Sequence, residues 1–430
     1  MTLRGPDRAR RGTELGHLGI VRDGAVLARD GRIVAVGTTD AVARQLRRRH
    51  IRLSQLHEID CRGRLVAPGL VDSHTHLVFA APRLEDFERR IAGMSDARIA
   101  RAGGGILASV RTLRAASDDR LLQAARSRLR CMRSHGVTTV EIKSGYGLTP
   151  DDEFRMLRLA RLAAASEGLD AALTFLGAHA LPAEYAGRRR EYLRLVRDHM
   201  LPALGVLRAF ARAGQRRRPH SRWHQLPPAA EFFDVFCDPL AFTLQESRML
   251  LLAARTRGFK LKLHADQNAD SGGAGLAVRC AAVSADHLDC TPPAARRRLA
   301  RSETVATFLP GVSLFLNRRF PAARDWIADG AAVCLASDCN PGTSPLLSLP
   351  MAMALACNGM RLTPAEVWQA VTINAASALN RARLCGSLQR GKRADLAIFG
   401  VDDYRAIPYF LGGNFCAGVL LSGRWVPAGV

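Results

Sequence analysis

Eight short apolar runs rich in β-branched residues recur along this 430-residue chain, spaced apart by segments long enough for helices. They lie at 65–71, 137–142, 172–176, 232–236, 260–263, 282–285, 305–309 and 332–335. Stretches such as 118–134, 151–167, 245–258 and 291–301 carry helical composition between them. An apolar run of strand length followed by a helix, repeated, calls for parallel strands joined by helical crossovers. Eight such units in about 270 residues fit a (β/α)₈ barrel better than a doubly wound sheet. The first crossover is long, with room for an extra helix or loop.

The two ends read differently. HLGIVRDGAVLARDGRIVAVG within 16–64 shows short strands joined by an Asp-Gly turn, and 386–430 has short strands with glycine turns. Neither end can bury a core alone. The expectation is an α/β chain in which residues 1–66 and 381–430 build one small β-sandwich-like domain beside a barrel of 67–380. The stretch 208–228 is basic, proline-rich and without periodicity, and reads as an exposed loop or insertion.

A formal net charge of +23 raises nucleic acid as a partner. However, only four of the 62 basic residues are lysine: Lys143, Lys260, Lys262 and Lys392. A phosphate-binding face has no reason to exclude lysine, and the arginines are spread along the chain, so compositional bias is the better explanation. The ten cysteines form no C-x-x-C pair and read as reduced thiols rather than a zinc ribbon. No apolar h-region opens the sequence, and no run approaches membrane-spanning length. The reading is a cytoplasmic protein with a small-molecule substrate, no nucleic acid and no membrane.

Barrel active sites gather at the carboxyl ends of the strands. Histidine makes up only 12 of 430 residues, yet five lie just past four expected strands: His74 and His76, His179, His264 and His287. Asp338 follows the eighth. On one extended strand His74 and His76 point the same way. With His264 and Asp338 they suit one catalytic Zn²⁺ or Fe ion per subunit with an open position for water, whose pKa the metal lowers. Asp338 is then placed as the base, and His287 orients the water or polarises the scissile carbonyl. The fourth strand, FFDVFCD at 232–238, has no lysine to bridge a second metal, which favours one ion.

The segment APGLVDSHTH (67–76) resembles the opening motif of the amidohydrolase superfamily. HTHLVFAAPR (74–83), EIKSGYGL (141–148), FLGAHALP (175–182), LKLHADQ (261–267), SADHL (284–288) and ASDCNPGTSP (336–345) narrow the likeness to imidazolonepropionases. It runs from about residue 16 to the C-terminus. The resemblance implies hydrolysis of 4-imidazolone-5-propanoate to N-formimidoyl-L-glutamate with one iron or zinc ion. It matches His74, His76, His264 and Asp338 to the metal ligands. Arg83, Tyr146, His179, Gln267, Asn340, Gly342 and Thr343 match positions that hold substrate or product. A homodimer, common among such barrels, is the assembly allowed for. The propionate suits Arg83 as a forked donor.

Some relatives carry glutamate where this chain has Gln267, which cannot act as a base; proton transfer then falls to Asp338 and His287. After Leu-Pro-Gly at 309–311, Leu314 and Asn317 stand where an aromatic and a basic residue usually follow. Two other readings remain: a related deaminase of a nucleobase-like ring, which would share the ligands, and a nucleic-acid binder on a dead hydrolase fold, which would lack them.

Overall fold

The computed structural model describes residues 1–48, 50–52, 54, 56–205 and 230–429. The basic stretch at 208–228 lies outside them.

Eight parallel strands run in chain order around one sheet: β4 (Leu70–Asp72), β5 (Val137–Lys143), β6 (Asp170–Ala178), β7 (Phe232–Cys237), β8 (Lys260–Ala265), β9 (Ser284–His287), β10 (Val305–Phe308) and β11 (Val333–Leu335). Just past β4 and β11 the sheet closes on itself through a parallel bridge between Thr75 and Cys339. Asp338 N donates to His74 O at 3.0 Å and His76 N to Cys339 O at 2.9 Å. The (β/α)₈ reading therefore holds, and the closing contacts are made by residues of the expected site.

Local chemistry explains the crossovers. The helix Pro150–Glu167 starts with Thr149, whose hydroxyl accepts from Asp152 N, followed by proline in the first turn, and stops at Gly168 in the left-handed region (φ 75°). The helix Asp118–Ser134 is capped in the same way by Ser117. The long first crossover holds three further helices, Leu84–Ile91, Asp96–Arg101 and Ile106–Ala115.

The run at 65–71 is not one strand. Leu65–Pro68, β3, pairs antiparallel with β12 (Leu396–Phe399) in a four-stranded sheet completed by β13 (Cys416–Leu421) and β14 (Arg424–Pro427). Gly69 turns the chain into β4, and a Cβ there would lie 2.2 Å from Thr138 Oγ1. Pro68 and Gly69 thus split an apolar run that periodicity alone joins.

The hairpin β1 (Gly24–Arg29) and β2 (Arg32–Thr38) turns on Asp30 and Gly31, both at positive φ, as a type I′ turn needs. Ile33 bonds both ways with the segment before β12 and packs with Leu388, Ala394 and Leu396. Both chain ends thus share a small apolar core outside the barrel. No helix among the described residues is long and apolar enough to cross a membrane.

Candidate active site

Each site residue stands where a strand delivers it. His74 and His76 continue β4 with the period-two spacing that turns both rings inward. His264 is the penultimate residue of β8 and His287 the last of β9. Backbone φ is +78° at His287 and +50° at Asp338, left-handed values that non-glycine residues seldom adopt and that recur where geometry serves a site.

Four donor atoms converge. His76 Nε2 lies 3.3 Å from His74 Nε2 and 3.3 Å from His264 Nε2. Asp338 Oδ1 stands 3.4 Å from His74 Nε2 and 3.5 Å from His76 Nε2. A tetrahedron with bonds of about 2.0–2.1 Å has edges of about 3.4 Å, so each of these four pairs is spaced like neighbouring ligands of one small cation; His264 also groups with His74 and His287, and with His76 and His179. Hydrogen bonding does not explain them. His74 Nδ1 donates to Asp286 Oδ2 at 2.7 Å, and His264 Nδ1 lies 2.9 Å from Asp234 Oδ2. The first bond puts the His74 proton on Nδ1 and leaves its Nε2 lone pair free; His264 Nδ1, close to Asp234, makes no hydrogen bond. Asp338 Oδ1 is buried and has no hydrogen-bond partner. The donor set fits a divalent metal.

Burial holds the pKa values of His74, His76 and His264 well below the ordinary histidine range, and the Lys143 charge adds to the shift, so all three offer neutral imidazoles. His179 is lowered to about 4 and His287 to about 3, again chiefly by burial. Burial pushes the Asp338 carboxyl well above its usual range; a cation against Oδ1 reverses that preference.

Beneath the histidines lies a fully buried charge network that the sequence reading did not single out. Lys143 Nζ contacts Asp234 Oδ2 at 2.7 Å, Glu141 Oε1 at 3.1 Å and Asp286 Oδ2 at 3.5 Å. Lys262 Nζ contacts Glu141 Oε2 at 2.7 Å and donates to Ser73 O at 2.8 Å. Burial alone would raise the Asp286 pKa, but the two lysines outweigh it and hold the carboxyl below its usual range. One signal was present in the sequence: in a chain that uses arginine almost everywhere, Lys143 and Lys262 persist within strand runs.

Of the expected substrate residues, His179 and Tyr146 touch the histidine cluster. His179 stacks on His76 with ring centroids 5.0 Å apart, and its Nδ1 meets Gly145 O at 3.0 Å, so the neutral ring presents Nε2 as an acceptor. Tyr146 is buried against His76 and His179, and its turn is held by Glu153, whose carboxylate accepts from Gly145, Gly147 and Leu148. Sequence reading missed Glu153, since a glutamate at helical spacing looks like surface. Arg83 caps the helix Leu84–Ile91, its N donates to Pro341 O, and its Nε is buried without a hydrogen bond. The guanidinium passes directly over Gly342.

Asn340 turns into its own loop. Its Oδ1 accepts from Gly342 N at 2.9 Å, Thr343 N at 2.7 Å and Thr343 Oγ1 at 3.0 Å, so its side chain shapes the turn. Gln267, half-buried after β8, makes no side-chain hydrogen bond to another described residue. Leu314 is exposed, at the end of the helix Pro310–Phe315.

The amidohydrolase family model matches residues 65–426. An imidazolonepropionase of Chloroflexus aggregans is 45% identical over 99% of this chain and 96% of its own length. That of Geobacillus kaustophilus is 42% identical over 96% and 92%. Among solved structures, Escherichia coli guanine deaminase superposes with a TM-score of 0.68 at 14% identity, covering 99% of this chain and 96% of its own. A zinc-bound adenosine deaminase from Xanthomonas campestris gives 0.65 at 19%, covering 95% and 89%. At such low identity the two structures bear on the fold alone. With a family match over most of the barrel and full-length relatives above 40% identity, the chain belongs to the amidohydrolase family and, within it, to the imidazolonepropionases.

Proposed function

We propose that this chain opens the ring of 4-imidazolone-5-propanoate by hydrolysing its cyclic amide, giving N-formimidoyl-L-glutamate in the breakdown of histidine. The observation that carries the reading is Arg83, whose buried Nε makes no hydrogen bond, with Asp86 Oδ2 3.8 Å away, and whose guanidinium lies over Gly342 in the turn that follows Asp338. A buried donor left over is costly unless a ligand takes it, and a propionate oxygen is the matching acceptor.

His74, His76, His264 and Asp338 would hold one ion, zinc or iron, since neutral imidazoles with one carboxylate suit either. When bound, the ion lowers the pKa of water and polarises the ring carbonyl. The residues do the rest. Asp338 takes the proton of the attacking water on Oδ2, the oxygen turned away from the ligand set, and returns it to the ring nitrogen as the C–N bond breaks. His287, neutral, its Nδ1 buried without a hydrogen bond and 3.9 Å from Asp289 Oδ2, orients the carbonyl. His179 accepts a ring N–H through Nε2, and Tyr146 closes over the ring. Gln267 cannot titrate and contributes hydrogen bonds only. The chain acts in the cytoplasm as a barrel of 67–380 flanked by one domain of both ends.

Metal reconstitution tests this reading. Protein stripped with a chelator should regain ring opening with one equivalent of Zn²⁺ or Fe²⁺ per chain. Full turnover in the metal-free protein would overturn it.

A further inference from the structure

Three carboxylates and two ammonium groups lie wholly inside the barrel: Glu141, Asp234 and Asp286 with Lys143 and Lys262. Charges this deep persist only when paired and hydrogen-bonded. The pairing is not symmetrical. Asp234 Oδ2 is 2.7 Å from Lys143 Nζ and 2.9 Å from His264 Nδ1. Asp286 Oδ2 is 3.5 Å from Lys143 Nζ and 2.7 Å from His74 Nδ1. One ammonium therefore touches the very oxygens that face two of the three imidazoles. Lys262 Nζ also lies 3.8 Å from Asp286 Oδ2, but its hydrogen bonds go to Glu141 and to the backbone of Ser73, and it makes no ion pair with Asp234 among the described residues.

We propose that Lys143 is a positioning residue for the metal set, holding Asp234 and Asp286 and through them the rings of His264 and His74. The proposal rests on the ligand reading above. Two further observations support it. Carboxylates outnumber ammonium groups by one in this network, which leaves a negative excess under the histidines, the sign that favours a cation above them. And two of the chain's four lysines stand here, among 58 arginines. A compact ammonium can donate toward three carboxylates at once, whereas a planar guanidinium needs more width and a fixed fork. Outer partners of histidine ligands fix their tautomer and ring orientation, and losing one costs about 10- to 100-fold in metal affinity.

The experiment uses the full chain with Co²⁺ as probe. Dissociation constants come from chelator competition and geometry from the visible absorption of bound Co²⁺, with far-UV circular dichroism to report the fold. Lys143→Met should fold, bind Co²⁺ roughly 10- to 100-fold more weakly and shift the absorption bands. The same substitution placed on Asp234→Asn with Asp286→Asn should add little, because Lys143 acts through those two carboxylates. Lys143→Gln replaces the Met variant if that one does not fold. A folded variant with wild-type affinity and spectrum overturns the proposal, as does failure of both variants to fold, which would make the ammonium purely structural. A wild-type chain that binds no Co²⁺ overturns the ligand reading itself, so the two failures are distinguishable.

Discussion

The Arg83 guanidinium lies where a side chain on residue 342 would begin: a Cβ on Gly342 would stand 1.8 Å from Nη2 and 2.0 Å from Cζ. The absence of a side chain at 342 is therefore what lets the guanidinium occupy this place.

Gly342→Ala should displace Arg83 and behave like its loss. A charge-assisted hydrogen bond contributes about 1.5–3 kcal/mol, so KM should rise roughly 10- to 100-fold while metal content stays whole. Combining it with Arg83→Ala should add almost nothing. Steady-state kinetics of the two single variants and the double variant check this, and additive losses would contradict it.

Glu153→Gln should loosen the turn that carries Tyr146. The carboxylate is fully buried and takes three backbone donors, at 2.8–3.1 Å. Leaving one of them unpaired costs about 1–3 kcal/mol. A melting temperature below wild type, with kcat/KM down roughly tenfold and unchanged metal content, is expected. Wild-type kinetics in the Gln variant would remove Glu153 from the site's support.

Asp289 gives the chain a pH-dependent stability. Burial raises its pKa to about 7, against opposing help from Arg318. A raised carboxyl favours the neutral form when folded. Its stabilisation is full below the unfolded value of about 4, falls as pH rises from there to about 7, and is flat above. The side chain keeps 24% exposure, so screening cuts the span to about 2 kcal/mol. Asp289→Asn should therefore gain on wild type in urea unfolding across that window. A difference independent of pH would contradict the assignment.

The barrel and its rim were legible because their signals are local. His74-Thr75-His76 carries its geometry in the period of a strand, and the histidines at 179, 264 and 287 stand beside runs that can only be buried strands. The network below them was hidden for the same reason. β5 is buried at every position, so Glu141 and Lys143 interrupt an apolar run with no sign of what they meet across the barrel. Asp234, Lys262 and Asp286 come from three other strands, and their meeting depends on register. The break at Gly69 was missed because an apolar strand leaving one sheet for another keeps its pattern.

Incubating 4-imidazolone-5-propanoate with the metal-loaded chain, beside His264→Ala, tests the central claim most directly. The account predicts loss of substrate with N-formimidoyl-L-glutamate as product, no release of ammonia, and neither reaction in the His264 variant. Ammonia released with the ring intact, or ring opening that survives the loss of His264, would contradict it.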